Sequence, residues 1–166
     1  MKLWSAAVAP NPRRVEIYLM EKGIEVETEN IDLGAKANYE PEFVAMNPLA
    51  RVPVLELDDG TFLAESKAIC RYFEETHPKP PLLGSNTQER ALIEMWDRRM
   101  ESELMGNITG AFRHLHPYWD GRIEQIPAYG DICKKNADDR MAWLDGELAD
   151  RDYVAGDRFT LADITA

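Results

Sequence analysis

Hydrophobic and polar positions divide the chain into a first part with strand-like and helix-like spacing and a second part with helix-like spacing only. In the first part, a short apolar run at residues 1–5 predicts a buried strand. A helix is predicted for residues 12–22, with a glycine at position 23 to end it. Residues 25–33 largely alternate apolar and polar side chains, which predicts a second strand. The order strand, helix, strand is typical of a parallel crossover unit.

A strand pair and a helix are predicted after the crossover unit. Residues 53–57 and 61–64 are predicted to be strands, because the Asp-Asp-Gly turn at residues 58–60 is a strong hairpin signal. A short helix at residues 41–46 precedes this hairpin. A helix at residues 66–76, with Ser66 at or near its N-cap, follows it. The first part is therefore expected to be βαβ–ββα, a mixed four-stranded sheet with helices on its faces.

The proline-rich sequence HPKPPLLGS marks a boundary in the chain. We assign residues 1–77 to a first domain, 78–86 to a linker and 87–166 to a second domain. No strand pattern returns after the linker. Residues 86–116 predict one long helical stretch that bends at Gly106 or Gly110, and residues 123–148 predict a second long helix, broken near Pro127. The second domain is therefore expected to be all-helical.

The end of the sequence contains the start of one more helix. Thr160 and Asp163 form a capping-box pattern, in which a Thr at the N-cap is followed three residues later by an acid. The sequence stops three residues after that box. We therefore expect the chain to be a truncated form of a longer protein.

The charge balance is acidic, with 19 Lys and Arg residues against 30 Asp and Glu residues and a formal net charge of -11. This balance argues against nucleic acid or an anionic membrane surface as the main partner.

Cys70 and Cys133 stand alone and are expected to be reduced, buried thiols. No apolar run reaches the roughly 18 residues of a membrane span, and the N-terminus is not a signal peptide. We therefore expect a cytoplasmic protein, and we assign no metal site.

Four local motifs, taken with the element order, resemble the glutathione S-transferase family. They are NPLARVPVL at residues 47–55, LAES at residues 63–66, FTLADITA at residues 159–166, and Arg14-Val15 followed by EKGI. The resemblance covers essentially the whole chain. It implies an α/β thioredoxin-like N-terminal domain followed by an all-α C-terminal domain, the glutathione S-transferase fold.

The resemblance also implies which residues bind glutathione. The backbone of Val52 is expected to pair with the cysteinyl main chain, with Pro53 in the cis form. Glu65 and Ser66 are expected to hold the γ-glutamyl end, because a hydroxyl and helix N-terminal amides suit its carboxylate and a Glu suits its ammonium. A plain helix cap is the alternative for this pair. Arg51 or Lys36 is expected to meet the glycyl carboxylate, and either could instead be a solvated surface cation.

The reactive end departs from the family's pattern, because Ala9 stands where a catalytic Ser or Cys is expected. Lowering a thiol pKa from about 8.5 to about 6.5 requires about 2.7 kcal/mol of preference for the thiolate. A helix N-terminus contributes about 0.3–1 kcal/mol, up to ~2 if partly buried, and one charged hydrogen bond about 1.5–3 kcal/mol. The candidate donors are the Asn11 amide, which we favour, and the Ser5 hydroxyl. Asn11 could instead form a turn between prolines, and Ser5 could be a buried hydroxyl bonded to backbone.

The resemblance implies a glutathione-dependent transferase or peroxidase used in detoxification. Glutathione would be the co-substrate, and its thiolate would attack a small hydrophobic electrophile or a peroxide. The alternative is a non-catalytic or regulatory glutathione-binding module, which Ala9 favours; isomerase and dehalogenase activities also stay open. A homodimer is expected, with polar contacts from Glu89, Arg90, Arg98 and Arg99. Candidates for the second-substrate wall are Trp4, Met100, Met105, Phe112, His114, Tyr118 and Trp119.

Overall fold

A four-stranded mixed sheet organises Met1–Pro81, the first of the two units into which the structure divides. The structure is a computed structural model and describes every residue from Met1 to Ala166. The strand order is β2-β1-β3-β4, with β1 (Lys2–Ser5) parallel to β2 (Glu27–Asn30) and antiparallel to β3 (Val54–Glu56). Strand β4 (Phe62–Ala64) is antiparallel to β3. The predicted mixed sheet is therefore confirmed.

Helix α1 spans Pro10–Lys22 and begins two residues earlier than its pattern predicted. Both of its prolines lie in the first turn, where an amide N–H has no intrahelical partner, so neither proline interrupts the helix. Gly23 ends it, as predicted, with φ 64 and with its N–H pointing to the carbonyls of Leu19 and Met20. A left-handed conformation at this position suits glycine because it has no Cβ.

The strand β2 is shorter than predicted and is not half-buried. All four of its side chains are exposed, so the alternation seen at residues 25–33 does not correspond to a buried face of this strand. The reason is its position at the edge of the sheet, where only β1 pairs with it. Its Glu27 and Glu29 carboxylates form ion pairs with Lys2. Charged side chains on an edge strand also discourage pairing with other chains.

Helices α2 (Pro41–Met46) and α3 (Ser66–Thr76) match their predicted bounds. Helix α3 buries Ile69, Cys70 and Phe73 completely and packs on α1. These side chains join Leu3 and Leu55 of the sheet, both fully buried, in the core of the first unit. Burial of this kind is the main favourable term in folding.

The second unit, Leu82–Ala166, is entirely helical, as predicted. Helix α4 (Thr87–Arg99) continues through a π-helical segment, Met100–Met105, into α5 (Gly106–Leu115). The irregularity predicted at Gly106 or Gly110 therefore lies just before them, because the π segment adds the extra backbone residue. Helix α6 spans Pro127–Glu147, so Pro127 begins the helix instead of breaking it.

The core of the second unit forms around Trp96 and Met100. The Trp96 ring stacks on Trp143 with 5.7 Å between centroids. Helix α7 (Leu161–Thr165) begins with the predicted capping box: Asp163 accepts hydrogen bonds from the Thr160 N–H and hydroxyl. No helix here combines the length and the hydrophobicity needed to cross a lipid bilayer.

Candidate functional site

Three segments meet at one end of the sheet in the first unit. Val54 pairs with both Trp4 and Ala64, so the end of β1, the chain before β3 and the chain after β4 are neighbours. The predicted residues Ser5, Val52, Pro53, Glu65 and Ser66 lie in these segments. The sheet pairing therefore brings together residues that are up to 61 positions apart in the sequence.

The loop before β3 is held by two buried asparagines. The Asn38 amide donates to the Ala50 carbonyl at 2.7 Å, and the Asn47 amide donates to the Arg51 carbonyl at 2.8 Å. The Asn47 side-chain oxygen accepts from the Leu49 N–H at 3.2 Å. These bonds fix the loop, including Ala50 at φ 52. The two asparagine anchors were not predicted from the sequence.

Val52 and Pro53 end this loop, and the peptide bond between them is cis, as the resemblance implied. Pro53 is buried and Val52 is half-buried. Strand β3 begins only at Val54, so the N–H and C=O of Val52 lie outside the sheet pairing. An extended segment placed beside Val52 could therefore bond to its backbone in the manner of an added strand.

Glu65 and Ser66 open α3 in an unusual way. Glu65 is the N-cap residue, with φ 68 and ψ 112, and its side chain is exposed. Ser66 is the first residue of the helix and is 5% exposed. The Glu65 side chain makes no capping hydrogen bond, so a plain side-chain cap does not describe the N-cap residue. A non-glycine residue at positive φ costs free energy, and residues strained in this way cluster at active sites and ligand clamps.

Arg14 joins the start of α1 to the start of α3. Its side chain is buried, at 3% exposure, and its Nη1 donates to the Ser66 Oγ at 2.7 Å and to the Asn11 Oδ1 at 2.9 Å. In the sequence, Arg14 was noted only as part of the motif Arg14-Val15 followed by EKGI, with no role of its own. Arg13 is exposed, so the two neighbours differ in environment. No local sequence signal identifies the contact of Arg14 with Ser66, because Ser66 lies 52 positions away.

Asn11 is exposed near the start of α1, in the segment where the family's pattern expects a thiol-stabilising group. The preceding Ala9 is the N-cap residue and has no side-chain donor. Pro10 and Pro12 have no N–H, and the Arg13 N–H bonds to the Ala9 carbonyl at 3.2 Å. In the first three positions of α1, Asn11 is therefore the one residue that carries a backbone N–H.

Ser5 is 1% exposed, and its hydroxyl donates to the Glu16 carboxylate. The alternative given for Ser5 was a buried hydroxyl bonded to backbone. The hydroxyl is buried, but its partner is a side chain. A hydroxyl has a single proton, so the bond to Glu16 leaves Ser5 no second donation. This geometry favours Asn11 over Ser5 as a donor to a ligand, and a role for Ser5 stays a prediction.

Arg51 and Lys36 are both exposed and lie in loops that the Asn38-to-Ala50 bond connects. Lys36 has φ 62. Either exposed cation can therefore face solvent or a carboxylate.

The residues predicted for the second-substrate wall differ in their surroundings. Met100 is 1% exposed in the core of the second unit and is therefore unavailable to a substrate. Phe112 and Tyr118 are exposed and their rings stack with 6.2 Å between centroids. His114 accepts from the Ile126 N–H at 3.1 Å. The other candidates, Trp4, Met105 and Trp119, are half-buried.

Comparison with known proteins gives a consistent picture. Residues 8–76 match the family model "Glutathione S-transferase, N-terminal domain", and residues 121–166 match "Glutathione S-transferase, C-terminal domain". Glutathione S-transferase 2 of Saccharomyces cerevisiae is 37% identical over 169 residues, with 99% of this chain and 72% of the relative covered. A Pseudomonas aeruginosa protein named maleylacetoacetate isomerase is 37% identical over 167 residues, with 99% and 77% covered.

A solved structure is similar over the whole chain. The crystal structure of a glutathione S-transferase domain-containing protein from Marinobacter aquaeolei superimposes with a TM-score of 0.91 at 41% identity. The match covers 100% of this chain and 83% of that chain.

Proposed function

Because the chain belongs to the glutathione S-transferase family and is a glutathione transferase, we propose how it binds glutathione and activates its thiol. One observation carries the proposal. Glu65 holds a strained backbone conformation beside Ser66, which is bonded to a buried Arg14, at the sheet end that carries the unpaired backbone of Val52. This arrangement offers an extended peptide both main-chain and charged partners.

Glutathione would lie along the end of β3. Its cysteinyl N–H and C=O would pair with the backbone of Val52, and buried Pro53 would keep that edge in place. The γ-glutamyl carboxylate would accept from the Ser66 hydroxyl and the first amides of α3, where the helix dipole favours negative charge. The Glu65 carboxylate would accept from the γ-glutamyl ammonium. Arg51 or Lys36 would meet the glycyl carboxylate.

The thiol would then lie near the start of α1. There the Asn11 amide would donate to the thiolate, and the helix dipole would add to its stabilisation. Ser5 is the weaker candidate donor because its hydroxyl already donates its only proton to Glu16. The hydrogen bond and the helix dipole together reach about 2.7 kcal/mol. This is the preference for the thiolate that lowers a thiol pKa by two units.

The thiolate is the nucleophile of the proposed reaction. With an electrophilic carbon, a C–S bond forms and the leaving group departs with the bonding electrons. With a peroxide, the thiolate attacks one oxygen, the O–O bond breaks and a proton completes the alcohol or water that leaves. The thiol of a second glutathione then attacks the sulfur of the resulting sulfenic acid, so that an S–S bond forms, the S–O bond breaks and water leaves. We propose small hydrophobic electrophiles or peroxides as second substrates, in a cytoplasmic detoxification role.

We also propose a homodimer, as is general in this family. The side chains expected at such an interface have partners within the second unit. Glu89 accepts from Ser85, Arg90 donates to the Gly84 carbonyl at 3.0 Å, and Arg98 pairs with Glu94 at 2.7 Å. These residues would therefore present pre-formed polar groups to a second subunit.

A non-catalytic glutathione-binding module is the second candidate, and Ala9 is the observation that favours it. A methyl group can neither donate to a thiolate nor form a mixed disulfide. Such a protein would bind glutathione through Val52, Glu65 and Ser66 but would leave its thiol pKa close to the free value.

The ultraviolet thiolate absorbance of bound glutathione, measured against pH, distinguishes the two candidates. A thiol pKa well below that of free glutathione, raised by Asn11→Ala and unchanged by Ser5→Ala, is the expected result. Binding with an unshifted pKa would favour the non-catalytic module. Calorimetry with S-methylglutathione, which has no thiol to ionise, measures binding separately, and absence of binding would overturn the proposed site.

A further inference from the structure

One nitrogen of a buried guanidinium contacts both ends of the proposed glutathione site. Arg14 Nη1 lies 2.9 Å from the Asn11 Oδ1 near the thiol end and 2.7 Å from the Ser66 Oγ at the γ-glutamyl end. Arg14 and Ser66 are both buried, whereas Asn11 is exposed. The Arg14 side chain therefore connects Asn11, the proposed donor to the thiolate, with Ser66, the proposed donor to the γ-glutamyl carboxylate.

The chemistry of arginine determines the direction of both bonds. A guanidinium has five N–H donors and no acceptor, so the partner atom must accept in each case. Ser66 accepts from Arg14 through its oxygen, and its only proton must point elsewhere. Asn11 accepts through its carbonyl oxygen, so its NH₂ group must point away from Arg14. Without such a partner, a hydroxyl can rotate and an amide can flip by half a turn.

We propose that Arg14 is a positioning residue that fixes the hydrogen-bond polarity of the site. It holds the acceptor oxygens of Ser66 and Asn11 toward itself, so that both side chains present donors to an anionic ligand. This inference rests on the proposed function, because it concerns the γ-glutamyl carboxylate and the thiolate of glutathione. It adds that neither donor is correctly directed without the guanidinium.

The charge of Arg14 strengthens this effect. Hydrogen bonds from an ionised donor are about twice as strong as neutral ones. A hydroxyl that accepts such a bond is polarised and becomes a better donor through its own proton. Lysine cannot replace arginine fully, because its ammonium is a point charge on a flexible stem and lacks the planar fork. Arg14→Lys therefore keeps the charge and removes the fixed geometry.

Two variants test the inference from opposite sides. Arg14→Lys is expected to raise the Kd for S-methylglutathione about 10-fold and to raise the thiol pKa of bound glutathione by about one pH unit. Asn11→Asp keeps an oxygen for Arg14 but has no side-chain N–H, so the thiol pKa is expected to rise by about one pH unit or more. Its Kd for S-methylglutathione should change by no more than about threefold.

The matched control is Arg71→Lys, a change of the same chemistry at an exposed position of α3 whose side chain pairs with Glu75. It is expected to change neither measurement. Asn11 is exposed, so Asn11→Asp tests the inference even where Arg14→Lys does not fold. The inference is overturned if folded Arg14→Lys keeps the wild-type Kd and thiol pKa, or if Asn11→Asp keeps the wild-type thiol pKa. Failure of the wild type to bind S-methylglutathione would instead overturn the proposed function.

Discussion

The ammonium nitrogen of Lys22 lies 2.6 Å from a carboxylate oxygen of Glu74, where the end of α1 meets the end of α3. The Lys22 side chain is fully buried, and that of Glu74 is 12% exposed. The same nitrogen donates to the carbonyls of His77 and Pro80, each at 2.7 Å. All three protons of the ammonium are therefore used, and the chain that leaves α3 is tied to α1.

Replacement of Lys22 by methionine is expected to lower the free energy of unfolding by about 3–5 kcal/mol, because it leaves a mostly buried carboxylate and two carbonyls without their cation. Urea denaturation followed by tryptophan fluorescence measures the loss. Lys134→Met is the matched control. Its pair with Asp138 spans 3.1 Å between side chains that are 65% and 56% exposed, so the expected loss is about 0–1 kcal/mol. Equal losses in the two variants would contradict this account.

Tyr18 donates its hydroxyl to the same Glu74 carboxylate. Burial and this hydrogen bond raise the pKa of the Tyr18 hydroxyl far above its ordinary value near 10. Because the pKa is raised in the folded state, the resulting stability is complete below about pH 10 and is lost as the pH rises above it. Stability measured from pH 8 to pH 11.5 should therefore decline more steeply in the wild type than in Tyr18→Phe.

Spectrophotometric titration of the native protein provides the direct check on Tyr18. Tyrosinate absorbance should show one tyrosine that ionises only when the protein unfolds, and Tyr18→Phe should remove that component. The Lys22 ammonium lies 5.4 Å from the centroid of the Tyr18 ring, and Cys70 also raises the pKa of Tyr18, so both residues are left unchanged in the comparison. A Tyr18 that ionises with the exposed tyrosines would refute the burial argument.

The sequence predicted well those features whose signals are local. The glycine at position 23, the turn at residues 58–60 and the Thr160–Asp163 box each act within four residues, and each was found where its residues indicated. The bounds of α2 and α3 followed from hydrophobic spacing and flanking residues. The cis bond before Pro53 came from the family resemblance alone, because an isolated X–Pro pair is cis in only about 5–6% of cases.

The features that were missed depend on partners distant in sequence. Arg14 and Lys22 resemble ordinary surface cations until α3 is placed beside α1, 52 residues later. The length of β2 was overestimated, and the alternation did not reveal that this strand lies at the edge of the sheet. The π-helical segment has no sequence signature comparable to that of a proline or a glycine, so the irregularity was assigned to nearby glycines.

Replacement of Glu65 by glycine separates strain from function at the start of α3. Glycine accepts the positive φ, which should recover about 1–3 kcal/mol of strain against about 0.5–1 kcal/mol of added chain entropy. We therefore expect the free energy of unfolding to stay level or rise, while loss of the carboxylate weakens S-methylglutathione binding about tenfold. Glu65→Ala should weaken binding equally but gain no stability. A glycine variant less stable than the alanine variant would show that Glu65 is not strained.

Two glycines of α6 should respond in opposite ways to replacement by alanine. A Cβ at Gly130 would lie 2.6 Å from Leu115 Cγ, whereas a Cβ at Gly146 would have no heavy atom within 4 Å. Alanine improves helix propensity by about 0.8–1.0 kcal/mol, but overpacking costs about 1–3 kcal/mol. Gly146→Ala should thus raise the free energy of unfolding by up to about 1 kcal/mol, and Gly130→Ala should lower it by about 1 kcal/mol. Chemical denaturation measures both. If both variants gained stability, the Leu115 side chain would have to move aside at little cost, and helix propensity alone would determine the result at both positions.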